Sequence, residues 1–192
     1  MRVVGGCQRC NQWAFTSSCG TLIEQLKDGG RKMQIREIQA ADNAAIKKIL
    51  QDDLRAADLA IPGAAYFDKN LDHLSDYYAA APDRKYWVVV NVQGEVVGGA
   101  GCAAYDAPQR IAELQKLYLR SDAQGHGLSY QLIARVEAFA RQAGYRTLYL
   151  ETHHRLAAAV HVYQKLGFTR LPGPLKTAVH TAMDQFYQKT LI

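Results

Sequence analysis

The sequence predicts a mixed α/β fold, with helices on the faces of one sheet and the element order β-α-α-β-β-β-α-β-α-β-β. Two kinds of segment support this: short alternating or β-branched runs typical of strands, and longer segments with apolar residues at helical spacing. The 192 residues, 48% hydrophobic and 21% charged, fit one domain with an ordinary core. No apolar run is long enough for a membrane helix, so we expect a soluble, cytoplasmic protein.

The N-terminal half alternates strands and helices that are separated by turn residues. Met33–Ile38 is the first predicted strand, and Asp42 is the expected N-cap of a helix running to about Asp58. The apolar residues of this helix form one stripe: Ala45, Ile46, Ile49, Leu50 and Leu54. Ile61-Pro62-Gly63 interrupts the chain, and a second helix is expected over 70–80. Three strands follow: 86–92, 95–105 and 111–119.

The C-terminal half also alternates helices and strands. A long helix is expected over 128–143, closed by Gly144, and a shorter one over 156–166, closed by Gly167. Cys102 lies in an apolar strand and is expected to be a small core residue. The remaining strands are 147–151, 168–171 and 184–191.

Residues 1–32 differ in character from the rest of the chain. They have no sustained apolar period and contain Cys7, Cys10 and Cys19. We expect this segment to be a disordered or non-native extension, and residues 33–192 to form the folded domain. Zinc at Cys7-x-x-Cys10 would need a second pair of ligands where only Cys19 is available, so no metal is predicted. The net charge of +5 lies mostly in this segment, and the near-neutral body argues against nucleic-acid binding.

The segment 120–129 joins a strand to the long helix and contains two glycines, Gly125 and Gly127. They leave the backbone open to a close ligand, and the following helix presents unpaired N–H groups and its positive dipole end. These features predict a site for phosphate or pyrophosphate; the alternative is a plain connection that uses glycine only to turn. The dinucleotide motif G-x-G-x-x-G with its acidic partner and the motif G-x-x-x-x-G-K-[ST] are both absent.

A second motif comprises Ala159, Tyr163, Gly167 and Phe168. With the first motif, Gln124 to Ser129, it makes residues 33–192 resemble the GNAT superfamily, whose members use acetyl-CoA to acetylate amines. That family's motifs read [RQ]-x-x-G-x-[GA] and A-x-x-x-Y-x-x-x-G-F. The resemblance implies the GNAT acyl-CoA N-acyltransferase fold and acetyl transfer to a primary amine of a small molecule or of a protein or peptide. A non-catalytic acyl-CoA-binding or sensing module of the same fold is the alternative.

The resemblance also implies roles for individual residues. Tyr163 is expected to protonate the departing thiolate of coenzyme A, with packing on the helix face as its alternative. Glu113, eleven residues before Gln124, is expected to be the general base, and its alternative is an ordinary acidic residue at a strand end. The expected cofactor contacts lie on the strand end and the loop: Leu117, Tyr118, Leu119, Gln124, Gly125, His126, Gly127, Leu128 and Ser129. The oxyanion donor is expected to be the backbone N–H of Tyr118 or Leu119.

Two positions depart from the family's pattern. Ser129 replaces a final glycine or alanine, and Leu156 stands where many members carry an asparagine that contacts the cofactor. The neighbouring His153 and His154 are expected to be solvated loop histidines; the alternative is that they compensate for the missing asparagine contact with the cofactor.

The acceptor site is less well defined. Asp68, Asp72 and Asp76 fall at helical spacing in the region where the family binds its acceptor. We expect solvated helix faces; the alternative is that these residues, together with Asp52, Asp53 and Asp58, attract a cationic amine. The expected partners are acetyl-CoA and an amine acceptor, with neither nucleic acid nor membrane, and many relatives of this family are homodimers.

Overall fold

The computed structural model describes residues 24–28, 31–176 and 180–191, which form one mixed sheet with helices on both faces. The strands are β1 (Glu24–Asp28), β2 (Arg31–Glu37), β3 (Lys85–Val90), β4 (Val96–Asp106), β5 (Ile111–Leu119), β6 (Thr147–Thr152), β7 (Thr169–Leu171) and β8 (Gln185–Thr190). The helices are α1 (Asn43–Ala56), α2 (Leu74–Ala79), α3 (Leu128–Gln142) and α4 (Ala157–Lys165). The predicted mixed α/β class is confirmed.

The sheet opens between two of its central strands. Its order is β1-β2-β3-β4-β5-β6-β8-β7, and all neighbours are antiparallel except β5 and β6. The β5–β6 pairing ends at Glu113 and Tyr149, although β5 continues to Leu119 and β6 to Thr152. The two strands therefore diverge, and the second half of β5 has an edge that is not paired with β6.

A β-bulge bends β5 within this divergent half. Gly99 of β4 pairs with Tyr118 and Gly101 pairs with Gln115, so β5 carries one extra residue between these pairs. Lys116 adopts φ = 50° there, a left-handed conformation that is uncommon for a residue other than glycine. The bulge re-aims the side chains of β5 just before the strand reaches the Gly-containing loop.

Two helices with apolar stripes cover opposite faces of the sheet. On α1 the predicted stripe is buried, with Ile46, Leu50 and Leu54 at most 1% exposed, and it packs with α2 and the Tyr86 side of the sheet. On the other face the apolar residues of α3 pack together with α4: Leu128, Leu132, Ile133, Val136 and Ala140. None of the helices in the described residues is long and apolar enough to cross a membrane.

The structure departs from the sequence expectations near the N-terminus. Strand β1 and the first two residues of β2 lie within the segment expected to be a disordered or non-native extension. They were not expected, because an antiparallel hairpin is formed by backbone hydrogen bonds and needs no periodic pattern of apolar residues. Cys7, Cys10 and Cys19 lie outside the described residues. Asp42 does not cap α1 with its side chain; its carboxylate binds the Arg36 guanidinium at 2.6 and 2.9 Å and accepts the Gln39 N–H at 2.8 Å.

The remaining local predictions concern the second helix, two helix ends and Cys102. The helix expected over 70–80 is shorter, because Leu71–His73 forms a 3-10 turn before α2. Gly144 and Gly167 adopt φ values of 85° and 82° after their helices, which confirms both predicted C-caps. Cys102 is fully buried, as predicted.

Candidate active site

The part of β5 that is not paired with β6 forms one wall of a cavity that we call the loop cleft. The cavity measures about 340 Å³ and lies between the end of β5, the Gly-containing loop, the last turns of α1 and the start of α4. Its lining includes Asp53, Leu117, Tyr118, Leu119, Gln124, Gly125, Ser129, Arg155, Leu156 and Ala159. The structure thus brings most of the predicted cofactor residues to one place.

The loop itself leaves room for a ligand. Gly125 and Gly127 adopt φ values of 79° and 73°, and a Cβ atom on either would meet no other atom within 4 Å. Gly127 immediately precedes α3, whose first N–H groups have no intrahelical partner. Backbone donors, the positive end of the helix dipole and open space fit the binding of pyrophosphate.

The predicted cofactor residues do not all contribute in the same way. Gln124, Gly125 and Ser129 line the loop cleft with the three β5 residues, whereas His126, Gly127 and Leu128 do not. Leu128 is 1% exposed because its side chain belongs to the core beneath α3, so only its backbone faces the loop. The Gln124 amide is already fixed, since its Nε2 donates to Leu119 O at 3.0 Å and to Asp53 Oδ1 at 3.3 Å.

A second cavity, which we call the carboxylate cavity, measures about 440 Å³ and lies alongside β5. Its lining includes Asp68, Lys69, Tyr77, Glu113, Lys116, Tyr118, Glu151, His180 and Met183. Glu113 comes from β5 and Glu151 from β6, on either side of the point where these strands diverge. Because Tyr118 also lines the loop cleft, the two cavities meet at this residue.

Three distant segments are tied together beside this cavity by one ionic network. The Lys116 ammonium binds Asp68, and His180 Nε2 lies 3.1 Å from the same carboxylate. The Lys116 side chain is only 10% exposed and that of Asp68 is 21% exposed, so this ion pair is largely buried. Although burial alone would raise the pKa of Asp68, its contacts with His180 and Lys116 hold that pKa below the usual value.

The two glutamates of the carboxylate cavity have raised pKa values. Burial raises the pKa of Glu113, a hydrogen bond from Gln115 Nε2 at 2.6 Å opposes this, and the nearby Glu151 carboxylate raises it further. Burial also raises the pKa of Glu151, which accepts a hydrogen bond from the Tyr149 hydroxyl at 3.0 Å. A carboxylate of this kind is suited to general-base chemistry near neutral pH.

Tyr163 is buried on α4 between the rings of Phe168 and Tyr187, whose centroids lie 5.8 and 6.3 Å away. In the described part of the chain no hydrogen bond joins its hydroxyl to a partner. Burial, and then the nearby Asp53 carboxylate, raise the pKa of this phenol above its usual value. Tyr163 is not among the residues that line the loop cleft, although it lies close enough to Asp53 of that lining for the carboxylate to affect its pKa, whereas Glu113 lines the carboxylate cavity.

His153 and His154 are not two solvated loop histidines. His153 is only 9% exposed, whereas His154 is exposed and binds Asp184. The three side chains place ligand-type atoms within 4.8 Å of one another. However, His153 Nδ1 accepts the Arg155 N–H at 3.1 Å, which places the proton of the neutral ring on Nε2, facing Asp184 at 3.8 Å. The hydrogen bonds of His154 hold Asp184 in place, whereas His153 Nε2 lies beyond hydrogen-bond distance of this carboxylate.

Several functional candidates were missed or misjudged from the sequence. Asp68 lines the carboxylate cavity, whereas Asp72 pairs with Lys47 at the surface and Asp76 lies beside His73, so the three aspartates share no common face. Glu151 and His180 enter the site through the pairing of distant segments, for which the sequence gives no local signal. Asp53 does have such a signal, because it interrupts the apolar stripe of α1.

Comparisons with known proteins agree with this architecture. The sequence profile of the Acetyltransferase (GNAT) family matches residues 43–168. The uncharacterized N-acetyltransferase YjgM of Escherichia coli is 35% identical over 148 residues, covering 76% of this chain and 87% of that protein. A GNAT-family acetyltransferase from Staphylococcus aureus superposes with a TM-score of 0.74 at 16% identity, over 83% of this chain and 99% of the other. The yncA structure from Salmonella typhimurium, solved with its cofactor acetyl-CoA, gives a TM-score of 0.64 at 24% identity, over 83% and 94%.

Proposed function

Because the chain belongs to the GNAT acetyltransferase family, we propose that this N-acetyltransferase moves an acetyl group from acetyl-CoA to a primary amine of a small molecule or of a protein or peptide. The observation that carries the proposal is the meeting of two cavities at Tyr118, one with a phosphate-type loop and one with carboxylates. Such an arrangement supplies separate places for donor and acceptor along one strand, because Leu117–Leu119 line the first cavity and 113–116 line the second.

The loop cleft is the proposed donor site. When bound, acetyl-CoA supplies an acyl group activated as a thioester. The backbone N–H groups from Gly125 to Ser129 would hold its pyrophosphate at the start of α3. The unpaired edge of β5 at Leu117–Leu119 offers backbone groups to an extended pantetheine arm, as in the addition of a strand to a sheet edge. Leu156, in the lining, provides only apolar contact where many members have an asparagine.

The carboxylate cavity is the proposed acceptor site. An amine enters as an ammonium ion and must lose a proton before it can attack an acyl carbon. Glu113 would accept this proton, directly or through water, and burial supports this role by raising its pKa. The backbone N–H of Tyr118 or Leu119 would donate to the acyl oxygen as negative charge develops on it.

Tyr163 is the proposed general acid. Its phenol would give a proton to the departing sulfur, and the raised pKa keeps this proton in place across the neutral range. Starting from an ammonium ion, the nitrogen loses two protons on the way to the amide, and Glu113 would take the first of them. Tyr163 would give one proton to the thiolate, so one proton per turnover is released to solvent, and exchange with water restores the Glu113 carboxylate and the Tyr163 phenol.

The test is the release of free thiol from acetyl-CoA with a panel of primary amines, including peptides with free N-termini and lysine side chains. Turnover with any of these amines supports the proposal and identifies the acceptor class. A protein that binds acetyl-CoA but acetylates none of the amines would instead be the non-catalytic binding or sensing module.

A further inference from the structure

Asp53 is a charged residue on an otherwise apolar helix face. It lies three residues after Leu50 and four after Ile49, and its side chain lines the loop cleft instead of the core. It also belongs to the last turn of α1, where a negative charge meets the negative end of the helix dipole. Nothing in the local structure of α1 therefore favours an aspartate at this position.

The Asp53 carboxylate also has little to compensate it. Among the described residues its hydrogen-bond partner is the Gln124 amide, at a long 3.3 Å, and no ion pair joins it to a cation. Arg155, the basic residue of the cleft lining, donates instead to the Asp58 carbonyl at 3.0 Å. Burial accordingly raises the pKa of Asp53. The neighbouring Asp52, by contrast, is exposed and paired with Lys48 and Arg55.

The lining of the cleft indicates what such a carboxylate could bind. Opposite the backbone edge of β5, much of the wall is apolar and consists of alanines from the ends of α1 and α4: Ala56, Ala57, Ala157, Ala158 and Ala159. The Asp53 carboxylate has free lone pairs that accept hydrogen bonds. A ligand that carries hydrogen-bond donors would therefore match it. The pantetheine arm has such donors in its amide N–H groups and its hydroxyl, whereas ionised phosphate groups have no hydrogen-bond donor to offer.

We propose that Asp53 accepts a hydrogen bond from the pantetheine arm of acetyl-CoA and so selects this part of the donor. The proposal rests on the assignment of the loop cleft as the donor site. It differs from a purely structural role, in which Asp53 only anchors Gln124 and would affect every ligand of the loop alike. It also differs from electrostatic exclusion, in which the Asp53 charge only weakens the binding of phosphates.

The test measures equilibrium binding to the full chain by calorimetry with two probes. One is coenzyme A; the other is adenosine 3′-phosphate 5′-diphosphate, which has the nucleotide half without pantetheine. In Asp53→Asn the dissociation constant of coenzyme A should rise about tenfold or more, as expected for the loss of a hydrogen bond to a charged group, while that of the nucleotide stays within about twofold. Asp52→Asn removes the same charge from the neighbouring residue outside the cleft and should change neither constant.

The outcome is decided by the dissociation constant of coenzyme A divided by that of the nucleotide. An unchanged ratio, whether both constants rise together or neither moves, overturns the proposal, as does tighter nucleotide binding with unchanged coenzyme A binding. Asp53→Ala, which cannot accept a hydrogen bond at all, should increase the ratio at least as much as Asp53→Asn. A parent protein that binds coenzyme A but acetylates no amine contradicts the proposed function and leaves the Asp53 result readable.

Discussion

Replacing Tyr163 by phenylalanine separates a catalytic role for this residue from a packing role. The ring is 6% exposed, and its contacts with Phe168 and Tyr187 survive the substitution. Its hydroxyl makes no hydrogen bond within the described residues, so removing it leaves no partner unsatisfied. We therefore expect the free energy of unfolding to change by less than about 1 kcal/mol.

The expected effect on catalysis is much larger. Loss of a proton donor lowers kcat by about 10²- to 10⁴-fold, equivalent to about 3 to 5 kcal/mol in the activation free energy. Steady-state kinetics should show this loss with little change in KM for acetyl-CoA. The defect should shrink with an acyl donor whose thiol leaves readily without protonation. Because the Tyr163 pKa is raised, the parent enzyme should not lose this acid as the pH rises from neutral to mildly alkaline.

A matched control is available in the same cluster. Tyr187 is buried against Tyr163, and neither residue lines one of the two cavities, but the Tyr187 hydroxyl already donates to Gln185 at 2.8 Å whereas the Tyr163 hydroxyl has no hydrogen-bond partner among the described residues. Tyr187→Phe should therefore keep kcat within a few-fold of the parent. If Tyr163→Phe also keeps full activity, the general-acid assignment is refuted and the residue serves only to pack α4.

Three further predictions concern substitutions at Gly127, Glu113 and Asp68. Gly127→Val should weaken coenzyme A binding strongly by calorimetry, because a side chain would fill the open space over the loop, whereas Gly144→Val, at an equally open position of similar φ, should affect only stability. Glu113→Gln should remove the acidic limb of the pH profile of kcat/KM, a limb that should lie above the usual glutamate range because the pKa of Glu113 is raised. Asp68→Asn should destabilise the fold by about 3 kcal/mol in chemical denaturation, since Lys116 loses its counter-ion. Because the Asp68 pKa is lowered in the folded state, this difference should be complete above the unfolded-state pKa and should disappear as the pH falls through the folded-state value.

Most of the helices and strands could be predicted from local sequence patterns. The bounds of β5 were predicted as observed, and α3 differed by one residue at its C-terminus, because glycines and strong periodicity mark those boundaries. Strand β1 was missed, since a hairpin at a sheet edge is held by backbone hydrogen bonds that no side-chain pattern reports. Asp42 occupies the predicted N-cap position of α1, but its carboxylate makes no capping hydrogen bond because Arg36, on the preceding strand, binds it.

The site was only partly predictable for a related reason. The loop and the β5 residues are contiguous in sequence, so their spacing could be recognised as a motif. The carboxylate cavity instead collects residues from α2, β5, β6 and the loops that carry Asp68 and His180, and His180 lies 112 residues from its partner Asp68. Such contacts depend on which strands are neighbours, and this depends in turn on the whole sheet order.

The two cavities have a common structural origin in β5. The strand pairs with β6 only as far as Glu113, and its bulge then places Lys116 in a left-handed conformation with its ammonium on Asp68. After the bulge, Tyr118 lines both cavities, and Leu119 leads toward the loop that precedes α3. Had β5 and β6 stayed paired along their full length, the backbone edge proposed to bind pantetheine would have been occupied by the sheet itself. The strained residue and the incomplete pairing therefore leave room along a single strand for the proposed donor and acceptor sites.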